Sequence, residues 1–214
     1  MAGICYHVIN RGNNRVRVFS APTDYRSFLG LVEKAQGRVP LRLVAACLMP
    51  NHFHFVLIPG ESGDLGRWMH WLLTAHVHRH HQGMGTSGRL WQGRFKAFPI
   101  QGDEHLLTVI RYVERNPVRA GLVQDARSWP WGSLAWRSGG RLARSLAPSP
   151  VTLPANWAEW VNRPQTPVEL EQLRACVNRQ RPYGSEDWVN QTAVELGLES
   201  SLRPVGRPFK SIAK

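Results

Sequence analysis

Residues 40–60, PLRLVAACLMPNHFHFVLIPG, carry the reading from which the fold follows. Two apolar runs flank Pro50–Asn51 and read as strands joined by a tight turn. Side chains alternate along a strand, so His52, His54, Val56 and Ile58 share one face and Phe53, Phe55 and Leu57 the other. The Phe/Phe/Leu face has the character of core. The two imidazoles lie about 6.6–7 Å apart along the strand and can converge on one ion. A lone strand histidine is more often a structural side chain. A same-face pair leaves both readings open, and a metal would need a third ligand from elsewhere.

Working outward, ICYHVINRG (4–12) reads as a strand ending in a glycine turn. TDYRSFLGLVEKAQGR (23–38) has helical spacing at Phe28, Leu31, Val32 and Ala35, with Thr23 or Asp24 placed to cap it. Beyond the paired strands, 63–83 reads as an amphipathic helix closed by Gly83, and FKAFPI (95–100) as a short strand. The order βαββαβ, followed by a further helix, is that of a ferredoxin-like α+β sandwich with an antiparallel sheet. At 214 residues there is room for one such domain and a smaller unit. The expected division is a domain over 1–135, a linker over 136–155, and a basic, mostly helical extension over 156–214.

The further helix, predicted over 103–116, must break near Pro117. Leu106, Val109, Ile110 and Val113 form its apolar arc. Tyr112 and Asn116 lie one turn apart on a flank of that arc, and His105 falls on the same flank. An amide oxygen at Asn116 could complete a metal shell and bring the phenol to the ion. Asn116 precedes proline, which disfavours helical geometry there. On their own, Tyr112 also reads as a tyrosine at the core margin and Asn116 as a helix-end residue.

The chain is basic, with 27 Lys and Arg against 15 Asp and Glu and a formal net charge of +12. The lysines are Lys34, Lys96, Lys210 and Lys214, so arginine supplies almost all of the excess. Guanidinium forks match phosphates and stack on bases, which points to a nucleic-acid partner. Candidate nucleic-acid contacts are Arg11, Asn13 and Arg15 in NRGNNR, and Trp91, Arg94 and Lys96 in RLWQGRFKAF. Arg119 and, in the C-terminal RPVGRPFK, Arg207 complete the set. RLWQGRFKAF equally reads as a strand with its lead-in, and the tail as merely disordered. The histidines of HVHRHHQ (76–82) lack the glutamate of a zinc-protease helix and read as a solvated face. Cys5, Cys47 and Cys176 suggest reduced thiols in a cytoplasm. No run approaches the ~20 apolar residues of a membrane span, and no signal-peptide core is seen.

MPNHFHFVL, followed by RYVERNPVRAGLV, resembles the HUH-type single-tyrosine transposases, and among them the REP-associated tyrosine transposases of bacteria. GRLWQGRFKAF and the C-terminal RPYGSEDWVNQTAVELGLESSLRPVGRPFK resemble the same group. The resemblance implies a ferredoxin-like nuclease core in which His52 and His54 form the histidine pair, Phe53 is its bulky middle residue, Tyr112 is the nucleophile and Asn116 the third metal ligand. It further implies Mg²⁺ or Mn²⁺ as cofactor, single-stranded DNA with palindromic REP hairpins as partner, a 5′-phosphotyrosine intermediate, and a cytoplasmic, nucleoid-associated monomer or homodimer. Two other readings stay open at this point. One is a ferredoxin-like domain that binds DNA or RNA hairpins without chemistry; the weaker one is a zinc hydrolase.

Overall fold

The computed structural model describes residues 3–139 and 141–203. Four strands, β1 (Cys5–Arg11), β2 (Leu41–Met49), β3 (His52–Pro59) and β4 (Lys96–Ile100), form one antiparallel sheet in the order β2–β3–β1–β4. With α1 (Pro22–Gln36) and α2 (Asp64–Met84) the chain order is βαββαβ, as the apolar patterning predicts. The strand alternation decides what covers each face. Phe53, Phe55 and Leu57 are buried in the cluster that holds Phe28, Val32, Trp68 and Leu72 from α1 and α2. Val56 and Ile58 lie in a second cluster with Val109, Ile110 and Val113 of α3 (Glu104–Glu114). The helix after the sixth element therefore packs on the histidine face, which is what brings the tyrosine and the histidines together.

Two helix boundaries differ from expectation. The α1 N-cap is Ala21, with Pro22 in the first turn. Asp24 acts from inside that turn, its carboxylate accepting from the N–H groups of Ser20 and Ala21 at 2.8 and 2.9 Å. Gly83 continues α2, which ends at Gly85, where φ is +62°. That left-handed geometry suits a residue without a Cβ. Gly12 answers a different demand: a Cβ there would meet the Val16 carbonyl oxygen at 2.5 Å.

α3 stops at Arg115, and Asn116 opens a one-turn helix, α4 (Asn116–Arg119), with Pro117 in its first turn. Proline is tolerated there because its missing N–H has no intrahelical acceptor to meet. The remaining helices are α5 (Ser133–Arg137), α6 (Trp157–Asn162), α7 (Pro167–Arg179) and α8 (Glu186–Leu196). The segment expected to link two units lies against the sheet. Ala147 donates to the Leu43 carbonyl, and Leu142 and Leu146 pack on the α1/α2 side. Trp157, Val161, Leu173 and Cys176 of the expected extension are buried in the same cluster as α3.

Two side chains of α3 fasten this junction. Buried Glu114 accepts from Ser133 Oγ at 2.6 Å, Arg137 Nε at 2.9 Å and Trp157 Nε1 at 2.6 Å. Arg111 donates to the carbonyls of Trp160, Arg163 and Pro164, each at 3.0 Å. A buried carboxylate and a buried guanidinium are tolerated here because most of their donors and acceptors are met. Among the described residues no helix is long and apolar enough to cross a membrane.

Candidate active site

His52 and His54 project from β3 into a cleft of about 290 Å³ that Tyr112, Asn116, Arg119 and Arg11 also line. The two imidazole centroids are 4.9 Å apart, and the Tyr112 ring stands edge-on to His54 at 5.7 Å. Tyr112 is more enclosed than a core-margin reading suggests, only 6% exposed. α3 thus places its phenol beside the histidine pair.

Hydrogen bonds fix which ring nitrogen of His52 is free. Asn51 Nδ2 donates to the Arg15 carbonyl at 3.1 Å, so its Oδ1 faces His52 Nδ1 at 2.6 Å. An amide oxygen can only accept. His52 Nδ1 therefore carries the proton and Nε2 the lone pair. His54 Nδ1 lies 2.8 Å from Nε2 of His7, a fully buried residue of β1. If His54 donates to His7, its own Nε2 is left as a ligand, the arrangement in which an outer partner orients a metal-bound histidine. Burial pushes His7 down to about 3 and His52 to about 4, and holds His54 well below the usual imidazole range; nearby Arg119 adds to each. All three are neutral at physiological pH, as ligation requires.

The donor set fits a divalent ion: two neutral imidazoles with their outer nitrogens engaged, and an amide oxygen in the same cleft. Asn116 Nδ2 donates to the Tyr112 carbonyl at 2.9 Å, and its Oδ1 accepts from Arg119 Nη2 at 2.5 Å. That oxygen has a second lone pair. No carboxylate lines the cleft among the described residues. A separate group, Asp103, Glu104 and His105, brings ligand atoms within 4.8 Å of one another at the far end of α3. Asp103 is already used there, capping the helix and accepting from His105 Nδ1 at 2.7 Å. His105 packs against Tyr183 and does not reach Tyr112's cleft.

The guanidinium carbon of Arg119 lies 4.2 Å from the centre of the Tyr112 ring. Burial lowers the pKa of Arg119, opposed by the neighbouring tyrosine. Its Nη1 is buried without a hydrogen-bond partner among the described residues.

The expected DNA contacts divide. Arg94 and Lys96 are exposed and, with Asn10 and Arg11, line a second cleft of about 230 Å³ that shares Ile9, Arg11, Val177 and Asn178 with the first. Asn13 and Arg15 sit in a short 3-10 turn at the end of β1, with Arg15 exposed at φ +60°. Trp91 is a correction. It is 5% exposed and edge-on to Phe53 at 5.3 Å, so its ring belongs to the core and offers no face to a base. His76 corrects the solvated-face reading in the same way, buried between Phe28 and Trp91. Arg207 lies outside the described residues. The residues that sequence reasoning missed are His7, Asn51 as more than a turn residue, and Arg174 of α7, which lines the Tyr112 cleft.

A sequence model described as "Transposase IS200 like" matches residues 1–116, which span the whole sheet, both histidines and the tyrosine. The chain belongs to the IS200-like transposase family. It is 27% identical over 129 residues to a Haemophilus influenzae protein assigned as a REP-associated tyrosine transposase, covering 55% of this chain and 73% of the relative. It is 23% identical to the REP-associated tyrosine transposase of Escherichia coli K12, covering 61% and 76%. A solved REP-associated tyrosine transposase bound to a REP hairpin shares the fold, with a TM-score of 0.54 and 21% identity over 71% of this chain and 86% of that one. This member of the family is a transposase, and a tyrosine nucleophile is a property of the family.

Proposed function

We propose that the chain cuts and rejoins single-stranded DNA beside REP-type hairpins, with Tyr112 as nucleophile. The observation that carries this reading is that Tyr112, His52, His54 and Asn116 line one cleft, with Arg119 over the phenol ring. Tyr112 Oη gives its proton to water and attacks the phosphorus, the bond to the 3′ oxygen breaks, and that oxygen takes a proton from water to leave as a 3′-OH. The 5′-phosphotyrosine retains the bond energy, so a 3′-OH can reverse the step without ATP. Arg119 stabilises the phenolate as the phenol loses its proton. Bound Mg²⁺ or Mn²⁺, held by His52, His54 and Asn116, would polarise the phosphate and steady the leaving oxygen. Imidazole suits Mn²⁺ at least as well as the harder Mg²⁺. Arg11, Asn13, Arg15, Arg94 and Lys96 hold the flanking strand.

Labelled hairpins with single-stranded flanks, incubated with the full chain and Mn²⁺ or Mg²⁺, test the proposal. The expected product is a strand with protein attached to the downstream fragment. Tight hairpin binding with no cut under any divalent ion would leave a binding module only.

A further inference from the structure

α7 belongs to the C-terminal third of the chain, yet it supplies Arg174, Val177 and Asn178 to the wall of the Tyr112 cleft. Val177 and Asn178 also wall the adjoining cleft of Arg94 and Lys96, and Lys96 Nζ lies 3.4 Å from the Asn178 carbonyl. The two clefts therefore form one trough, with α7 along one side. Leu173 and Cys176 of α7 are buried in the core shared with α3, and Val177 packs against it. That anchoring fixes the direction in which Arg174 is presented.

The electrostatics of the cleft are one-sided. Arg11, Arg119 and Arg174 converge on it, and no Asp or Glu lines it among the described residues. Arg174 is exposed and forms no ion pair among the described residues. Arg119 Nη1 is buried and meets no acceptor among the described residues, although the guanidinium also interacts with Tyr112. Unpaired guanidiniums gathered round a pocket repel one another, and a buried unsatisfied donor is costly. Both penalties are relieved by one anion with several acceptor oxygens.

We propose that Arg174 is a substrate-binding residue of the reaction, holding the phosphate that Tyr112 attacks from the side opposite Arg119. This rests on the strand-cutting reading above. α7 is thus a structural wall of the single-strand trough, and Arg174 grips through non-bridging oxygens in the forked geometry guanidinium favours.

The experiment compares Arg174→Ala and Arg174→Lys in the full chain, with binding measured in a Tyr112→Phe background so that nothing is cut. A single-stranded oligonucleotide flanking a hairpin is titrated at several salt concentrations, unmodified or with one methylphosphonate at the cleavage position. Loss of one phosphate contact should lower the salt slope of Arg174→Ala by about 0.7, and lysine should restore it. With the methylphosphonate strand, wild-type and Ala proteins should bind alike. Cleavage by Arg174→Ala should fall about 10- to 100-fold, with lysine recovering only part of that. An unchanged affinity and slope for Arg174→Ala would overturn the proposal. Failure of the wild type to cut any hairpin would instead strike the Tyr112 chemistry, and the slope would still decide the role of Arg174.

Discussion

Tyr112→Phe removes one oxygen at the cleft and leaves the ring packed as before. Thermal stability should shift little and cleavage should vanish; a cutting Phe variant would remove Tyr112 as nucleophile. His7 gives a finer test. Its ring nitrogen is the outer partner of His54, and losing such a partner commonly weakens metal binding by 10- to 100-fold. His7→Phe should therefore bind Mn²⁺ that much more weakly in calorimetric titration, while His7→Gln, which keeps an acceptor, should lose less. The pair His52 and His54 was legible in the sequence because strand alternation is local. His7 was not, since its role depends on β1 lying beside β3, with Ile9 opposite His54 in the register.

At the scale of the element, RYVERNPVR (111–119) writes two functions on alternate sides of α3 and the one-turn α4 that follows it. Arg111 and Glu114 turn toward the C-terminal part of the chain, whereas Tyr112, Asn116 and Arg119 turn into the cleft. Arg111→Ala should cost about 1.5–3 kcal/mol in urea unfolding, the range for hydrogen bonds to a charged donor. A chain ending at residue 135 would strip Glu114 of Arg137 and Trp157, and should show no cooperative thermal transition. The order of strands and helices was readable from periodicity. The function of an aromatic was not: Trp91 in RLWQGRFKAF has the composition of a base-stacking strand, yet α1 and α2 close over it. Trp91→Ala should destabilise by about 3–5 kcal/mol, as for a buried aromatic.

For the whole molecule, buried imidazoles set the response to acid. His7 and His76 are depressed to about 3 and His52 to about 4, each chiefly by burial. Their unfolded counterparts take up protons near 6.5. Between those limits the unfolded chain binds more protons, so stability is full above pH ~6.5 and is lost as pH falls toward 4. Each such group contributes up to about 1.4 kcal/mol per pH unit. His76→Leu, remote from the cleft, should flatten the fall of unfolding free energy between pH 6 and 4 by about that slope. Arginine excess pointed from composition alone toward a nucleic-acid partner, but the trough was hidden because its walls come from β1, β4 and α7, far apart in sequence.

Glu114 has a consequence in time. A ribosome makes the phenol-bearing helix first; Trp157, one of the carboxylate's donors, follows Glu114 by 43 residues. At roughly 5–20 residues per second, that interval is roughly two to nine seconds. Within it Ser133 and Arg137 emerge first, 19 and 23 residues after Glu114, so the ion pair can form before the indole arrives. The full donor shell of that carboxylate, and with it the seat of the tyrosine helix against the C-terminal packing, is therefore complete only once residue 157 has been made.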